Sequence, residues 1–373
     1  MSKTTNKNAK FGLFCYDTIN IGDEIQSLAA RRFLPKVDYY FNRNNIDQTI
    51  TPVNEKIHLI MNGWFIEPAL DNGRINWPPK NPNIKPLIIS MHTSFLNGST
   101  DIFKSPESIH FLKAHAPIGA RDKATYNYFK SLDIPTYFSG CLTLTLLPDK
   151  NIKKQNFILA VDVSEEIYQN ILLRTKRPII RMNTSHINNL SIEARFILAQ
   201  YWLTLYQSAH CVITTRLHAM LPCLPFNTPV IGISARDSER FAGLIELTNH
   251  YSETDFIKDK SINLDKPPKN PTTFRKIRDN LVKTCSNFTG YDSKSSYLYG
   301  SSPLKLYTNP KLINTFVDSI QNTYASEYVI KDLEKTIQTL NKNLAISHSE
   351  TTPGIKKSTK NLLYAIKKRL MNN

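Results

Sequence analysis

From Phe11 to Ile233 the chain alternates short apolar runs with helix-length amphipathic stretches. The apolar runs Phe11–Tyr16, Ile57–Asn62, Leu87–Met91, Pro117–Ala120, Thr136–Ser139, Phe157–Val161, Pro178–Arg181, Cys211–Thr214 and Val230–Ile233 read as strands. Between several of them, Glu24–Arg32, Pro106–Ala114, Asp122–Leu132 and Ser191–Ser208 read as helices. Ser105 stands as N-cap and Pro106 at the first helical position of the second. Ile192, Phe196, Leu198, Ala199, Leu203 and Tyr206 mark the buried side of the last. Strand alternating with helix predicts parallel sheets covered on both faces, and strands this apolar are buried on both sides. Nine strands overfill one sheet, and the polar, Pro-containing stretch 147–154 is the natural break. The pattern therefore predicts two Rossmann-like α/β domains, over 1–150 and 151–300, facing each other across a cleft.

Beyond a Pro- and Lys-rich link at 261–271, Thr273–Phe288 and Leu312–Tyr324 have helical spacing. Ile330, Leu333, Ile337, Leu340 and Leu344 form a seam of about two heptads, fitting a docked helix or a weak oligomer contact. A helical tail is thus expected over 301–373. Its end sets Ile355, Leu362, Leu363, Ile366 and Leu370 on one face, with Lys356, Lys357, Lys360, Lys367, Lys368 and Arg369 elsewhere. That pattern fits either a helix lying on an anionic membrane surface or a solvated tail.

Composition narrows the class. A net charge of +16 favours polyanions, whether nucleic acid, anionic lipid or phosphorylated substrates, although the charges in the body are dispersed as on an ordinary solvated surface. No apolar run reaches the roughly 18 residues needed to span a bilayer, and residues 1–10 lack a secretory h-region. The five cysteines are odd in number and mostly lie in apolar runs, as expected of reduced thiols in a cytoplasmic protein. Neither C-x-x-C spacing nor a metal-ligand grouping of the nine His is present, so no metal is expected.

Three polar clusters stand at expected strand ends. Asn20-Ile21-Gly22-Asp23-Glu24 follows the first strand; Gly22 allows close backbone approach, and Asp23 reads as a helix N-cap or as a catalyst. Gly119-Ala120-Arg121-Asp122-Lys123 offers an Asp cap and an Arg that either enters the cleft or lies on the surface. Thr214-Thr215-Arg216-Leu217-His218-Ala219 sets a guanidinium and an imidazole two residues apart between buried strands. In an open parallel sheet ligands sit beyond the carboxyl ends of the strands. Arg, His and a helix start together suit a phosphate. His92, ending its strand, either faces the cleft or is buried structure.

Together these blocks resemble the polysaccharide pyruvyl transferase family, whose members share an N-x-G-D loop, an R-D pair opening a mid-chain helix and an R-L-H after a Val-Ile-rich strand. Here they are Asn20–Asp23, Arg121-Asp122 and Arg216–His218, supported by Asn62–Phe65, Ile88–His92, Ser139–Thr145 and Arg216–Pro229 through Arg240–Leu244. The resemblance covers about residues 10–250. It implies a GT-B-like fold and transfer of pyruvate from phosphoenolpyruvate onto hydroxyls of a surface glycan or its lipid-linked precursor, forming a ketal. Phosphoenolpyruvate is then donor substrate, with no cofactor or metal. Arg121, Arg216 and His218, with Leu217, Asn20, Gly22, His92 and Arg240, are the implied substrate-binding set. The chemistry of ketal formation then suggests His218, held as imidazolium by the phosphate, as the general acid or the phosphate's chief proton donor, and Asp23, Glu24 or Asp122 as the base. Where some members carry a Lys in an aromatic-x-x-Lys pattern, this chain has Ser238, with Arg236 and Arg240 as candidates to supply that charge instead. The implied enzyme is cytoplasmic, peripheral on the membrane if the tail binds there, and has no nucleic-acid partner. Two other readings stay open: a nucleotide-sugar glycosyltransferase of the same fold, with Asp237 or Glu239 for the ribose, and a basic polyanion-binding protein.

Overall fold

The computed structural model describes residues 9–65, 76–93, 101–184, 191–233 and 239–296. The expected helices at 312–324 and 330–344 and the basic tail lie outside them, as do Arg236, Asp237 and Ser238.

Two parallel sheets carry the fold. The first has the order β2-β1-β3-β4-β5-β6, from β1 (Lys10–Cys15), β2 (Tyr39–Asn42), β3 (Ile57–Phe65), β4 (Ile84–Thr93), β5 (Ile118–Ala120) and β6 (Thr136–Phe138). The second has the order β11-β10-β9-β7-β8, from β7 (Ile158–Val161), β8 (Ile179–Met182), β9 (Cys211–Thr214), β10 (Val230–Ile233) and β11 (Asn249–Tyr251). All pairings are parallel. The helices are α1 (Gly22–Arg31), α2 (Pro106–Ala114), α3 (Lys123–Ser131), α4 (Glu165–Arg174), α5 (Ile192–Ser208), α6 (Leu217–Cys223), α7 (Glu253–Lys258) and α8 (Phe274–Thr289). The expectation of two Rossmann-like α/β domains is met.

Strand alternation sorts the side chains into layers. Phe14, Leu59, Met61 and Ile88 pack outward with Leu112 of α2 and Phe129 of α3. Ile158, Ala160, Ile213 and Ile231 pack outward from the second sheet with Ile167 of α4 and Phe256 of α7. The opposite faces share one core: Phe11, Leu13, Ile60 and Ile89 of the first sheet join Leu159, Val161, Val212 and Val230 of the second. Between them lie Ile25 and Leu28 of α1, Phe196 and Tyr206 of α5, Met220 and Leu221 of α6, and Leu281 of α8. A single helical layer thus serves both sheets, and α1 packs against α5 and α6.

Two buried polar links cross this layer. Arg195 Nε of α5 donates to Glu24 of α1, and the Ile21 amide donates to the Thr184 carbonyl at 3.1 Å. After the second sheet the chain turns back. Helix α8 packs on the 3-10 turn Leu142–Thr145, Phe288 meets the His58 ring, and Arg32 pairs with Asp292.

Candidate active site

Trp64 and His92, in the last residues of β3 and β4, and Arg121, just after β5, lie close to Arg240 and to His218 at the start of α6, which in turn approaches Gly22 at the start of α1. Asn20 folds its side chain back to accept from the Gly22 amide at 3.0 Å, which sets the entry into α1. Helix α1 begins at Gly22 with Ile21 as its cap residue. Asp23 is therefore not the N-cap; it sits in the first turn, accepting from the Thr18 hydroxyl at 2.8 Å and Gln26 Nε2 at 3.3 Å. A Cβ at position 22 would stand 3.0 Å from His218 Nδ1. Glycine here lets the loop approach the imidazole, a protein partner rather than the ligand expected from sequence.

His218 lies in the first turn of α6, itself a seven-residue helix, and is 5% exposed. Its Nε2 is buried without a hydrogen-bond partner among the described residues. Burial first, then Arg121, Arg240 and His92, hold its pKa well below the usual histidine range. These surroundings favour the neutral ring, so the imidazolium expected from sequence depends on the phosphate that was expected to hold it. Leu217 departs from expectation too, because its side chain belongs to the shared core.

Arg121 directly follows β5 and is fully buried. None of its three guanidinium nitrogens has a hydrogen-bond acceptor among the described residues; the nearest charge is Asp122 Oδ2, 3.5 Å from Nε. Asp122 does cap α3, taking the Thr125 amide on Oδ1 at 2.9 Å. Its Oδ2 meets His92 Nδ1 at 2.6 Å. Burial pushes Asp122 up, but His92, Arg121 and the Thr125 amide outweigh it and hold the carboxyl below its usual range. With both oxygens engaged and its affinity for protons lowered, Asp122 is a poor general base, contrary to its expected role.

His92 owes its position to an irregularity in β4. Met61 pairs with Ile88 and Gly63 with Met91, so β4 has one residue more than β3 over that interval. Ser90 absorbs it in a left-handed conformation, φ 54°. Its amide donates to Ser139 Oγ at 3.1 Å, and that hydroxyl donates to the Ala120 carbonyl at 3.0 Å. Bulges re-aim the side chains that follow them. His92 is 3% exposed, tilted against the Trp64 ring at 5.7 Å between centroids. Burial and then Arg121 lower its pKa to about 4 in spite of Asp122.

The second domain supplies Arg240. Its guanidinium stacks 4.8 Å over Trp64, and burial, then Arg121 and Arg216, push its pKa down to about 10. Its loop is docked on the first domain: the Lys123 amide donates to the Ala242 carbonyl at 2.9 Å. Gly243, φ 84°, lies where a Cβ would meet Lys123 Cγ at 2.9 Å. Arg216 stands at the margin with its Nε 3.0 Å from Asp162 Oδ2, a hydrogen-bonded pair of the kind Arg121 lacks among the described residues. Glu24, a candidate base, is spent on Arg195.

The structure thus gathers Arg121, His218, His92, Asp122 and Arg240, with Gly22 and Asn20 as supports. Two contributors did not stand out as candidates in the sequence. Asp162, φ 51°, ties Arg216 to Thr184, whose amide and hydroxyl it also accepts, at 3.1 and 2.5 Å. A carboxylate directly after the apolar run Phe157–Val161 was the available signal. Trp64, near the end of β3, is the platform for Arg240; its signal was its place in the block Asn62–Phe65, noted for the family resemblance and not as a site residue.

A model of the polysaccharide pyruvyl transferase family matches residues 20–237, more than half of the chain and all three motif blocks. The chain belongs to that family. No curated protein matches its sequence. Among solved structures, a functionally uncharacterised protein of Klebsiella pneumoniae aligns at 12% identity over 63% of this chain and 86% of its own, TM-score 0.40. A UDP-GlcNAc 2-epimerase of Methanocaldococcus jannaschii aligns at 12% identity over 74% and 99%, TM-score 0.36. The wall teichoic acid polymerase TagF aligns at 13% identity over 83% and 90%, TM-score 0.33. The family's R-D and R-L-H blocks are those that meet here: Arg121 and Asp122 from one sheet, His218 from the other.

Proposed function

We propose that this protein transfers the pyruvyl group of phosphoenolpyruvate onto a pair of hydroxyls of a glycan or lipid-linked saccharide, closing a ketal. One observation carries the proposal: the guanidinium of Arg121 is fully buried with no acceptor among the described residues. Its one ion-pair partner among the described residues, Asp122 at 3.5 Å, is itself shared with His92, and a buried guanidinium whose N–H groups lack acceptors is costly, so the group calls for a further anion. A second cation, Arg240, and a buried imidazole, His218, stand close enough to perturb one another. Phosphoenolpyruvate brings a phosphate and a carboxylate, and planar guanidinium forks suit both.

Within this scheme the anion reverses the electrostatics around His218. A bound phosphate offsets Arg121 and Arg240, raises the imidazole pKa and draws a proton onto it, ready for the donor's methylene carbon. The scheme draws on no cofactor and no metal.

Thermal stabilisation by ligand separates this reading from nucleotide-sugar transfer on a similar fold. Phosphoenolpyruvate at about 100 times its Kd should add ~2.7 kcal/mol to stability, a rise of several degrees in Tm, while UDP leaves Tm unchanged. Stabilisation by UDP and none by phosphoenolpyruvate would overturn the proposal.

A further inference from the structure

The geometry points to His92 as the general base that takes the proton of the attacking sugar hydroxyl, with Asp122 as the positioning residue that fixes its tautomer; this rests on the pyruvyl-transfer reading above. Asp122 Oδ2 lies 2.6 Å from His92 Nδ1, and Thr125 holds the other oxygen of the carboxylate. A carboxylate can only accept, so Nδ1 carries the ring's proton and Nε2 keeps its lone pair. Nε2 takes no hydrogen bond from any described residue. The ring cannot turn freely, being buried against Trp64 and reached at Nδ1 by Thr125 Oγ1 at 3.3 Å as well.

The other carboxylates are engaged to different extents. Asp23 accepts from Thr18 and Gln26, Asp162 is bound by Arg216 and Thr184, and Glu24 is held by Arg195 through Oε1, its Oε2 being buried without a hydrogen-bond partner among the described residues. His218 is the proton donor in the proposed scheme. His92 shares the neighbourhood of Arg121 and Arg240, which both perturb it. A donor anion between those arginines would make the ring more basic, so the base is armed once phosphoenolpyruvate is seated.

The proton ledger closes on two histidines. In the first step His218 gives a proton to C3 of the donor, the hydroxyl oxygen bonds to C2, and the hydroxyl proton passes to His92 Nε2. In the second, the bond from C2 to the phosphate oxygen breaks with its electron pair on oxygen, and His92 returns its proton to that oxygen. The second hydroxyl then bonds to C2 and gives its proton to His218. The products are the ketal and hydrogen phosphate, with both rings restored.

The test uses the full-length protein, with phosphate release from phosphoenolpyruvate measured on a panel of nitrophenyl sugars and lipid-linked acceptors. His92→Gln should lower kcat by ~100- to 10,000-fold, with KM for phosphoenolpyruvate within about threefold of wild type. Asp122→Asn keeps an oxygen for the Thr125 amide but turns a donor toward Nδ1, which moves the ring proton to Nε2. In a serine protease the equivalent change costs ~10,000-fold in kcat through the wrong tautomer. Here it should lower kcat by a comparable order, and ¹⁵N spectra of histidine-labelled protein should show His92 protonated at Nδ1 in the wild type and at Nε2 in Asp122→Asn. Active wild type with His92→Gln within threefold of its kcat overturns the base assignment alone. Nδ1 unprotonated in the wild type overturns the positioning role. Wild type that neither binds phosphoenolpyruvate nor releases phosphate overturns the underlying reading together with this one.

Discussion

Arg121 illustrates how a side chain can be legible in identity and not in state. Its place after a strand and before a helix was visible in sequence, because Gly119-Ala120-Arg121-Asp122 ends an apolar run with a capping residue. That all its nitrogens are buried without acceptors depends on Asp122 spending its oxygens on His92 and Thr125, residues about 30 positions away and three positions away. The same holds for His218, whose pKa is held below the usual histidine range by burial and then by cations contributed by other segments. If Arg121 is the main anchor of the donor, Arg121→Met should weaken phosphoenolpyruvate binding by roughly 100-fold, since charge-assisted hydrogen bonds contribute about 1.5–3 kcal/mol each. Titration calorimetry on the folded variant checks this. Undiminished affinity would move the anchor to Arg240.

At the level of elements, strands whose residues are apolar throughout were readable: β9 and β10 coincide with the runs expected, and α2 begins at Pro106 behind its Ser105 cap. The edge strands β2 and β11 were not, because only one of four residues in β2 is buried and none in β11. Helix α7 escaped for a related reason, being six residues long with one buried position; α4 was missed although it is at least as long as α2 and α3 and buries at least as many residues. The bulge in β4 could not be read at all, since a serine with φ 54° leaves no mark in a hydrophobicity pattern. That bulge is held by Ser139 through its bonds to Ser90 and Ala120. Ser139→Ala should cost about 0.5–1.5 kcal/mol in denaturant unfolding and lower kcat beyond what that loss of stability explains, through misplacement of His92. An activity change no larger than the loss of folded protein would show the bulge to be merely structural.

Across the whole molecule the two-domain plan was evident from the count of strands, whereas the contacts joining the domains were not, because they link residues far apart in sequence. Arg195 and Glu24 stand 171 positions apart. Burial drives the Glu24 pKa up to about 8 against the pull of Arg195. A raised carboxyl pKa means that the folded state holds a proton the unfolded chain releases above about pH 4.5. Stability contributed by this site should therefore fall as pH climbs from about 4.5 toward 8 and level off above it. Glu24→Gln keeps an acceptor for Arg195 without the ionisation. The variant should melt at or above the wild-type temperature at pH 8 and lose that advantage at pH 5, as read from Tm across the range. An identical pH profile in both proteins would show that Glu24 does not titrate in that window.

The helical layer shared by both sheets has a mechanical consequence. An enzyme whose two halves clasp the same apolar filling cannot work as a jaw, because separating them would wet Phe196, Tyr206, Met220 and their neighbours at once. Among the described residues, the groups of the candidate site already stand together. If the proposed transfer is right, a long glycan would be met where it drapes over the rim between the sheets, and turnover would not wait on the two sheets parting.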